Sequence, residues 1–147
     1  MFRMKGVLAI KHAEEKYVYQ AVHMLFNGTF TEEWGEVESR NCKFTFIGKH
    51  LDHEALRAGI MECLATPELE QKRLDALRFK IGDRVECNTG EPVWAKGTII
   101  QLMYRQEDFP PGEVVPYQIE LDVKGDGGDG YIFAPADINE LIRAATD

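Results

Sequence analysis

The sequence is poor in cysteine, has no C-x-x-C pair and contains no long apolar run, and each absence removes a class of protein. Its three cysteines, Cys42, Cys63 and Cys87, are scattered through 147 residues. That spacing fits neither the disulfide framework of a small secreted domain nor a zinc ribbon, and a reducing compartment is its natural setting. The first residues, MFRMKGVLAIKHAEEK, are interrupted by Arg3, Lys5, Lys11 and Glu14. They lack the apolar core of a signal peptide, and no other stretch is long and apolar enough to span a bilayer. A soluble cytoplasmic chain is expected. Positive charge is also scarce: 17 Lys and Arg stand against 25 Asp and Glu, a formal net charge of −8. The average field repels nucleic acid and anionic lipid, whose binding depends on Lys and Arg contacts, so neither is an expected partner. A basic partner or a metal cation suits it better.

What is present is the composition of a folded protein, 44% hydrophobic and 29% charged. The length holds one ordinary domain or two small ones, since domains run from about 50 to 250 residues. Lys5 to Lys11 and Lys16 to Phe26 are rich in Val, Ile, Leu, Tyr and Phe, with polar HAEE between, and read as two strands of a hairpin. Asn27-Gly28 reads as a turn. Cys42 to Gly48 alternates, with Phe44 and Phe46 on one face, as a third strand. Asp52 has the chemistry of a helix N-cap. After it, Ala55, Leu56, Gly59, Ile60, Cys63 and Leu64 recur at helical spacing, a stripe wide enough to cover a sheet. Pro67 ends or restarts that helix, and PELEQKRLDALR reads as a second, more exposed one.

From Phe79 the pattern changes to short strand-like runs, RVECN, AKGTIIQLMY, VVPYQIELDV and GYIFAP, punctuated by glycine and proline turns. Such spacing predicts a small all-β barrel of four or five strands. Asp137 is expected to cap a last helical turn through Ile138, Leu141 and Ile142, and GDGGDG to form a mobile hairpin tip. The expected fold class is α+β: a small sheet covered by a helix over residues 1–66, a helical linker over 67–78, and the barrel over 79–147.

Four motifs occur in order in the first half: R-x-K-G-V-L from Arg3, Q-A-V-H from Gln20 to His23, W-x-x-x-E-x-R from Trp34, and F-I-G-K-x-L-D from Phe46 to Asp52. Over roughly Phe2 to Ala65 the chain resembles the C-terminal domain of CobW-type proteins, and it is similar to the zinc-regulated GTPase metallochaperones. In that family a preceding domain carries a G-x-x-x-x-G-K-[ST] phosphate loop and a C-x-C-C metal motif, and hydrolyses GTP to hand a metal to a client. Neither motif is in this sequence. The run Gly125, Gly127, Gly128 and Gly130 lacks the following Lys-Ser/Thr and helix that would cradle phosphates. The resemblance therefore implies a non-catalytic regulatory or client-binding module in metal homeostasis, with a GTPase domain or a metalloprotein client as its protein partner. It leaves a lone domain and a piece of a longer protein both open. In the second half, Phe79, Gly82, Asp83 and Val85, then Trp94, Gly97, Thr98 and Ile99, then Pro116, Tyr117, Leu121 and Asp122, then Ala134, Pro135 and Asp137 resemble SH3-like or Tudor-like barrels in fold alone.

Each candidate site has a plainer counterpart. His23 stands beside Val22 and Met24 in an expected strand and is a candidate metal ligand with Glu38. A zinc site needs three or four ligands, and spacing supplies no second His or Cys, so at most weak zinc binding and no resident cofactor is expected. The counterpart is an ordinary sheet histidine. Trp34, Glu38 and Arg40 have the composition of a partner-binding surface, or else Trp34 anchors a loop and Glu38 pairs with Arg40. Trp94, Tyr104, Tyr117, Tyr131 and Phe133 are the material of a cation-binding cage completed by Asp122 or Asp137, or else they fill the core. That cage underlies a rival function, an adaptor whose barrel binds a peptide or a modified lysine. No Ser-His-Asp or Cys-His order stands out, and Asp126 and Asp129 lie in the expected tip, where nothing would raise a carboxylate pKa. No enzymatic activity is expected.

Overall fold

In a computed structural model, which describes residues 3–90, 94–123 and 129–146, the chain divides into two units, Met1–Ala65 and Thr66–Asp147. The alternating apolar runs of the first unit form β1 (Arg3–Ala9), β2 (Glu15–Val22), β3 (Leu25–Glu33) and β4 (Lys43–Ile47). They make one antiparallel sheet in the order β3-β2-β1-β4. Residues directly opposite across an antiparallel ladder share a face. The register thus puts Met4, Gly6 and Leu8 together with Tyr17, Tyr19, Ala21, Phe26, Phe30, Phe44 and Phe46. Lys5, Val7, Val18, Gln20, Lys43 and Thr45 share the other face, which is mixed.

On the aromatic face Tyr17 meets Phe30 edge-on at 4.9 Å between ring centroids. Two glycines make room for such rings. A Cβ at Gly28 would run into the Tyr17 ring, and one at Gly6 would meet the Phe44 ring at 3.0 Å. A bare strand glycine is covered here by a cross-strand aromatic. This corrects the expected strand boundaries. The run from Lys16 to Phe26 is not one strand, because the chain turns at His23-Met24, and Asn27 and Gly28 lie inside β3 opposite Gln20 and Tyr19. His23 closes the turn with φ 56, a left-handed conformation that histidine adopts more readily than β-branched residues.

Helix α1 (His53–Glu62) begins as expected, with Asp52 Oδ1 accepting from the Ala55 N–H at 2.9 Å. Its apolar stripe is narrower than the sequence predicts. Leu56, Ile60 and Leu64 are half-buried, whereas Ala55, Gly59 and Cys63 are exposed. Among the described residues of this unit only Gly6 and Ala13 are buried.

The second unit opens with α2 (Pro67–Ala76), capped by Thr66, whose Oγ1 accepts from the Leu69 N–H at 3.3 Å. Strands β5 (Arg84–Asn88), β6 (Trp94–Tyr104), β7 (Val115–Leu121), β8 (Tyr131–Ala134) and β9 (Ile142–Ala144) form an antiparallel sheet ordered β8-β7-β6-β5-β9. Alternate residues of these strands point to one core of Val85, Cys87, Ile99, Tyr117, Ile119, Ala134 and Ile142, against which Leu77 and Phe79 pack. Each large apolar side chain so buried stabilises by roughly 1.5–3 kcal/mol. The chain's extensive core, among the described residues, is therefore here. The expected turn is present, with the Ile138 carbonyl accepting from the Leu141 and Ile142 N–H groups at 3.1 and 2.9 Å, but Asp137 does not cap it and Ile142 goes on into β9, paired with Cys87. The Asp137 carboxylate instead accepts from the backbone N–H and Nε of Arg78 at 3.0 and 2.7 Å. The core gains a buried isoleucine, and β5 gains a neighbour. Of the expected GDGGDG tip, Gly125 to Gly128 lie outside the described residues. No helix among the described residues is long and apolar enough to cross a membrane.

Among the described residues, Glu86 is the buried polar residue of this sheet. Arg143 donates to it through Nε at 3.0 Å and stands at 2.9 Å through Nη2, Thr146 Oγ1 donates at 3.1 Å, and Lys96 Nζ is 3.9 Å away. The Arg143 bond, then those of Thr146, hold its carboxyl below the ordinary range against the effect of burial. A carboxylate whose folded pKa is depressed contributes stability at neutral pH that is lost as pH falls from about 4.3 through the folded value. Glu86→Gln should therefore shallow the loss of stability between neutral pH and about pH 3. Urea unfolding at both pH values, followed by Trp94 fluorescence in a Trp34→Phe background, checks this. Equal losses for variant and parent would refute it.

Candidate functional site

At the end of β3 the Trp34 N–H donates to the Glu14 carbonyl at 3.0 Å, fastening the loop to β2. Lys16, in β2, extends its ammonium between Glu38 at 2.8 Å and Glu32 at 3.0 Å and stands 5.3 Å from the centroid of the Trp34 ring. Glu38 and then Glu32 raise the Lys16 pKa, and Lys16 in turn lowers that of Glu38. With Val7, Val18, Thr31 and Lys43 on the mixed face, these residues line a cavity of about 400 Å³. Trp34 Nε1 is buried and has no hydrogen-bond partner among the described residues. Trp34 and Glu38 therefore share one site, and Arg40 makes its contacts elsewhere. Its Nη2 donates to the carbonyls of Ala13 and, at 3.4 Å, Ile10, and Nη1 pairs with Glu14 at 3.7 Å. Arg40 holds the β1–β2 turn.

The candidate metal ligands are not brought together. His23 precedes β3 and Glu38 follows it, so a nine-residue strand separates them, on the order of 25 Å at about 3.3 Å per residue. His12, His23 and His50 all have positive φ, at 67°, 56° and 54°; turn geometry accounts for these histidines. Cys42 Sγ lies against the Ala9 N–H at 3.4 Å, and Cys63 Sγ donates to the Gly59 carbonyl at 3.3 Å. Burial pushes the Cys87 thiol up to about 11, which keeps it protonated. Among the described residues no three His, Cys, Asp or Glu side chains converge to hold a metal ion.

The expected aromatic cage of the second unit separates into parts. Tyr117 is fully buried, closed to any partner, and its hydroxyl accepts from the Phe79 N–H at 3.2 Å; burial pushes the phenol up to about 12. Trp94 is already covered by the chain's own cation, the Arg143 guanidinium, 3.9 Å from its centroid. Asp122 is held by both terminal nitrogens of Arg84, and that bond lowers its pKa. Burial opposes ionisation of Asp137, yet its bonds from Arg78 bring its pKa below the ordinary value. Both carboxylates are thus engaged within the unit.

Tyr104 remains. With Tyr131 and Phe133 it lines a pocket of about 510 Å³ whose other walls are Asn88, Thr89, Gln106, Gln118, Asp129 and Ile132. A further ring, Phe109, stands 6.2 Å from Tyr104 and 5.3 Å from Phe133. Sequence reasoning missed Phe109 and the residue that places it. Arg105 donates to the carbonyls of Phe109, Pro110 and Glu113 at 2.8, 2.8 and 2.9 Å, tying the loop into a fixed shape. An arginine just before a Pro-Pro-Gly turn is the only trace of this in the sequence.

In the first unit R-x-K-G-V-L lies on β1, Q-A-V-H runs from β2 into its turn, W-x-x-x-E-x-R forms the loop with the Lys16 cavity, and F-I-G-K-x-L-D leads from β4 to the α1 cap. Residues 1–64 match the cobalamin synthesis protein cobW C-terminal domain. The match stops one residue before the end of the first unit and does not extend into the second. No solved structure matches the chain.

Proposed function

We propose that this chain is a non-catalytic regulatory or client-binding module in a CobW-like metal-homeostasis system, acting in the cytoplasm, with an SH3-like barrel as its second unit. The observation that carries the reading is the surface at the start of β3 in the CobW-type unit. Met24, in the turn, and Leu25 and Phe26, at the start of the edge strand β3, are 92%, 80% and 74% exposed. An edge strand presents unpaired backbone groups, and its usual protection is charge. Over Leu25 to Thr31 there is none. Exposed apolar side chains gathered at one end of an edge strand mark an interaction surface, and the resemblance supplies the partner: a CobW-type GTPase domain, whose nucleotide-binding motifs this sequence does not contain.

The test is calorimetric titration of the whole chain with an isolated CobW-type GTPase domain loaded with GDP or with a non-hydrolysable GTP analogue. Binding is expected in at least one nucleotide state. The double variant Leu25→Glu, Phe26→Glu should weaken it by about tenfold or more, the effect of removing central apolar contacts. Both side chains are exposed, so circular dichroism should show a folded variant. No binding in either state, or binding indifferent to the double variant, would sink the reading.

A further inference from the structure

On β8 the side chains alternate: Ala134 joins the core and Ile132 packs against it, while Tyr131 and Phe133 are each 42% exposed. Tyr131 and Phe133 lie opposite Glu120 and Gln118, on the polar face of the sheet, so filling the core does not explain them. Phe133 nevertheless has ring neighbours. Tyr104 is 6.5 Å away at 35° and Phe109 5.3 Å away at 72°, and Tyr104 and Phe109 meet at 81°. The arrangement is held in place. Met103 adopts φ 49 beside Tyr104, a left-handed position that a side-chain-bearing residue keeps only where its surroundings impose it. Arg105 fixes the Phe109 loop through three carbonyls.

The electrostatics of this pocket have one sign. Among the described residues its lining contains no Lys, Arg or His, and the carboxylate there is Asp129, whose Oδ1 accepts from the Tyr131 N–H at 3.1 Å. Aromatic faces attract cations, most strongly when water is excluded. Other rings of this unit receive cations from the chain itself: Arg143 over Trp94 and Arg78 over Phe79, at 3.9 and 5.0 Å. Among the described residues no Lys or Arg stands over Tyr104, Phe109, Tyr131 or Phe133. Ring faces make poor partners for the N–H groups of a bare ammonium, which loses hydration without replacement. A methylated ammonium has fewer N–H groups to satisfy and carries its charge on an apolar surface. A volume of about 510 Å³ is ample for such a group.

We propose that the pocket between Tyr104, Phe133, Tyr131 and Asp129 binds a methylated ammonium group. The inference is independent of the docking surface on β3. The group is either a methylated lysine side chain in a polypeptide or a free quaternary amine. The test is calorimetric titration of the whole chain with choline, with an acetylated, amidated trimethyllysine, and with the same compound unmethylated. The methylated compounds are expected to bind about tenfold or more tightly than the unmethylated one. Phe133→Leu, which keeps apolar volume but removes the ring face, should lower that affinity by about tenfold with the urea midpoint unchanged, and Asp129→Asn should lower it severalfold. Preference for trimethyllysine over choline supports a polypeptide source, and equal binding supports a small amine. Equal affinity for methylated and unmethylated compounds, no binding up to about 10 mM, or full retention of affinity by folded Phe133→Leu overturns the proposal.

Discussion

Tyr117→Ala is expected to destabilise the second unit by about 3–5 kcal/mol, the cost of deleting a large aromatic from a packed core. Tyr117 is fully buried in β7, among Val85, Ile99, Ile119 and Ile142, and its ring meets Phe79 edge-on at 5.9 Å. The truncation would empty the centre of the cluster and also leave the Phe79 N–H without the hydroxyl that accepts from it. Domains are commonly stable by only about 5–15 kcal/mol, so the variant would stand near its unfolding midpoint. Tyr117→Phe separates the two contributions. It keeps the ring and loses the hydroxyl, with both its bond from the Phe79 N–H and its bond to the Asp137 carboxylate, for an expected cost of about 1–3 kcal/mol. Urea unfolding followed by Trp94 fluorescence in the Trp34→Phe background measures both. A loss below about 1 kcal/mol for Tyr117→Ala would show that this residue is not the centre of the core.

The same residue shows where sequence reading stops. Tyr117 in β7 and Tyr104 in β6 have equal claims as cage residues in a list of the aromatics of the second half. Their fates are decided by parity. Tyr117 shares the inward phase of Val115 and Ile119, while in β6 the ladder slips between Ile99 and Gln101 and Met103, just before Tyr104, is left-handed. A period of two is legible in a sequence, and so are the strands β5 to β8 and the Asp52 cap, because each rests on local chemistry. Neither a slip within a ladder nor a single positive φ near a strand's end carries such a mark. Nor does the reach of Arg105 to three carbonyls, or of Arg40 to the β1–β2 turn, since both are settled by where the backbone returns. The reading of Asn27-Gly28 as a turn failed for a related reason. Glycine there serves the overlying Tyr17 ring, whereas the turn was made by His23, a residue first considered for metal binding. Strand β9 was missed because three residues are too few to show a period, and its place is fixed by the buried Ile142 and by pairing to β5.

Gly97 supplies the second large effect, with a sign that distinguishes packing from propensity. In the middle of β6 it pairs with Val85 on one side and Leu121 on the other. Intrinsic preference alone argues that replacing a strand glycine by alanine stabilises by about 0.5–1 kcal/mol, since glycine loses more backbone freedom on folding. The packing argues the reverse. A Cβ at Gly97 would lie 2.5 Å from the Glu120 carbonyl oxygen and 2.7 Å from Ile119 Cγ2. The first obstacle is backbone of the neighbouring strand, which cannot swing aside as a side chain could, and the second belongs to a fully buried core residue. Relief requires β6 and β7 to separate at their closest point, at a cost of about 1–3 kcal/mol for a methyl and more for a larger group. Gly59 in α1 is the internal control, because a Cβ there meets nothing within 4 Å. Gly59→Ala should stabilise the first unit by about 0.5–1 kcal/mol, and Gly97→Ala should destabilise the second by about 2 kcal/mol. Unfolding of each unit, read from Trp34 in a Trp94→Phe background and from Trp94 in a Trp34→Phe background, compares them directly. A stabilising Gly97→Ala would mean that the two strands are not held as close as their ladder places them.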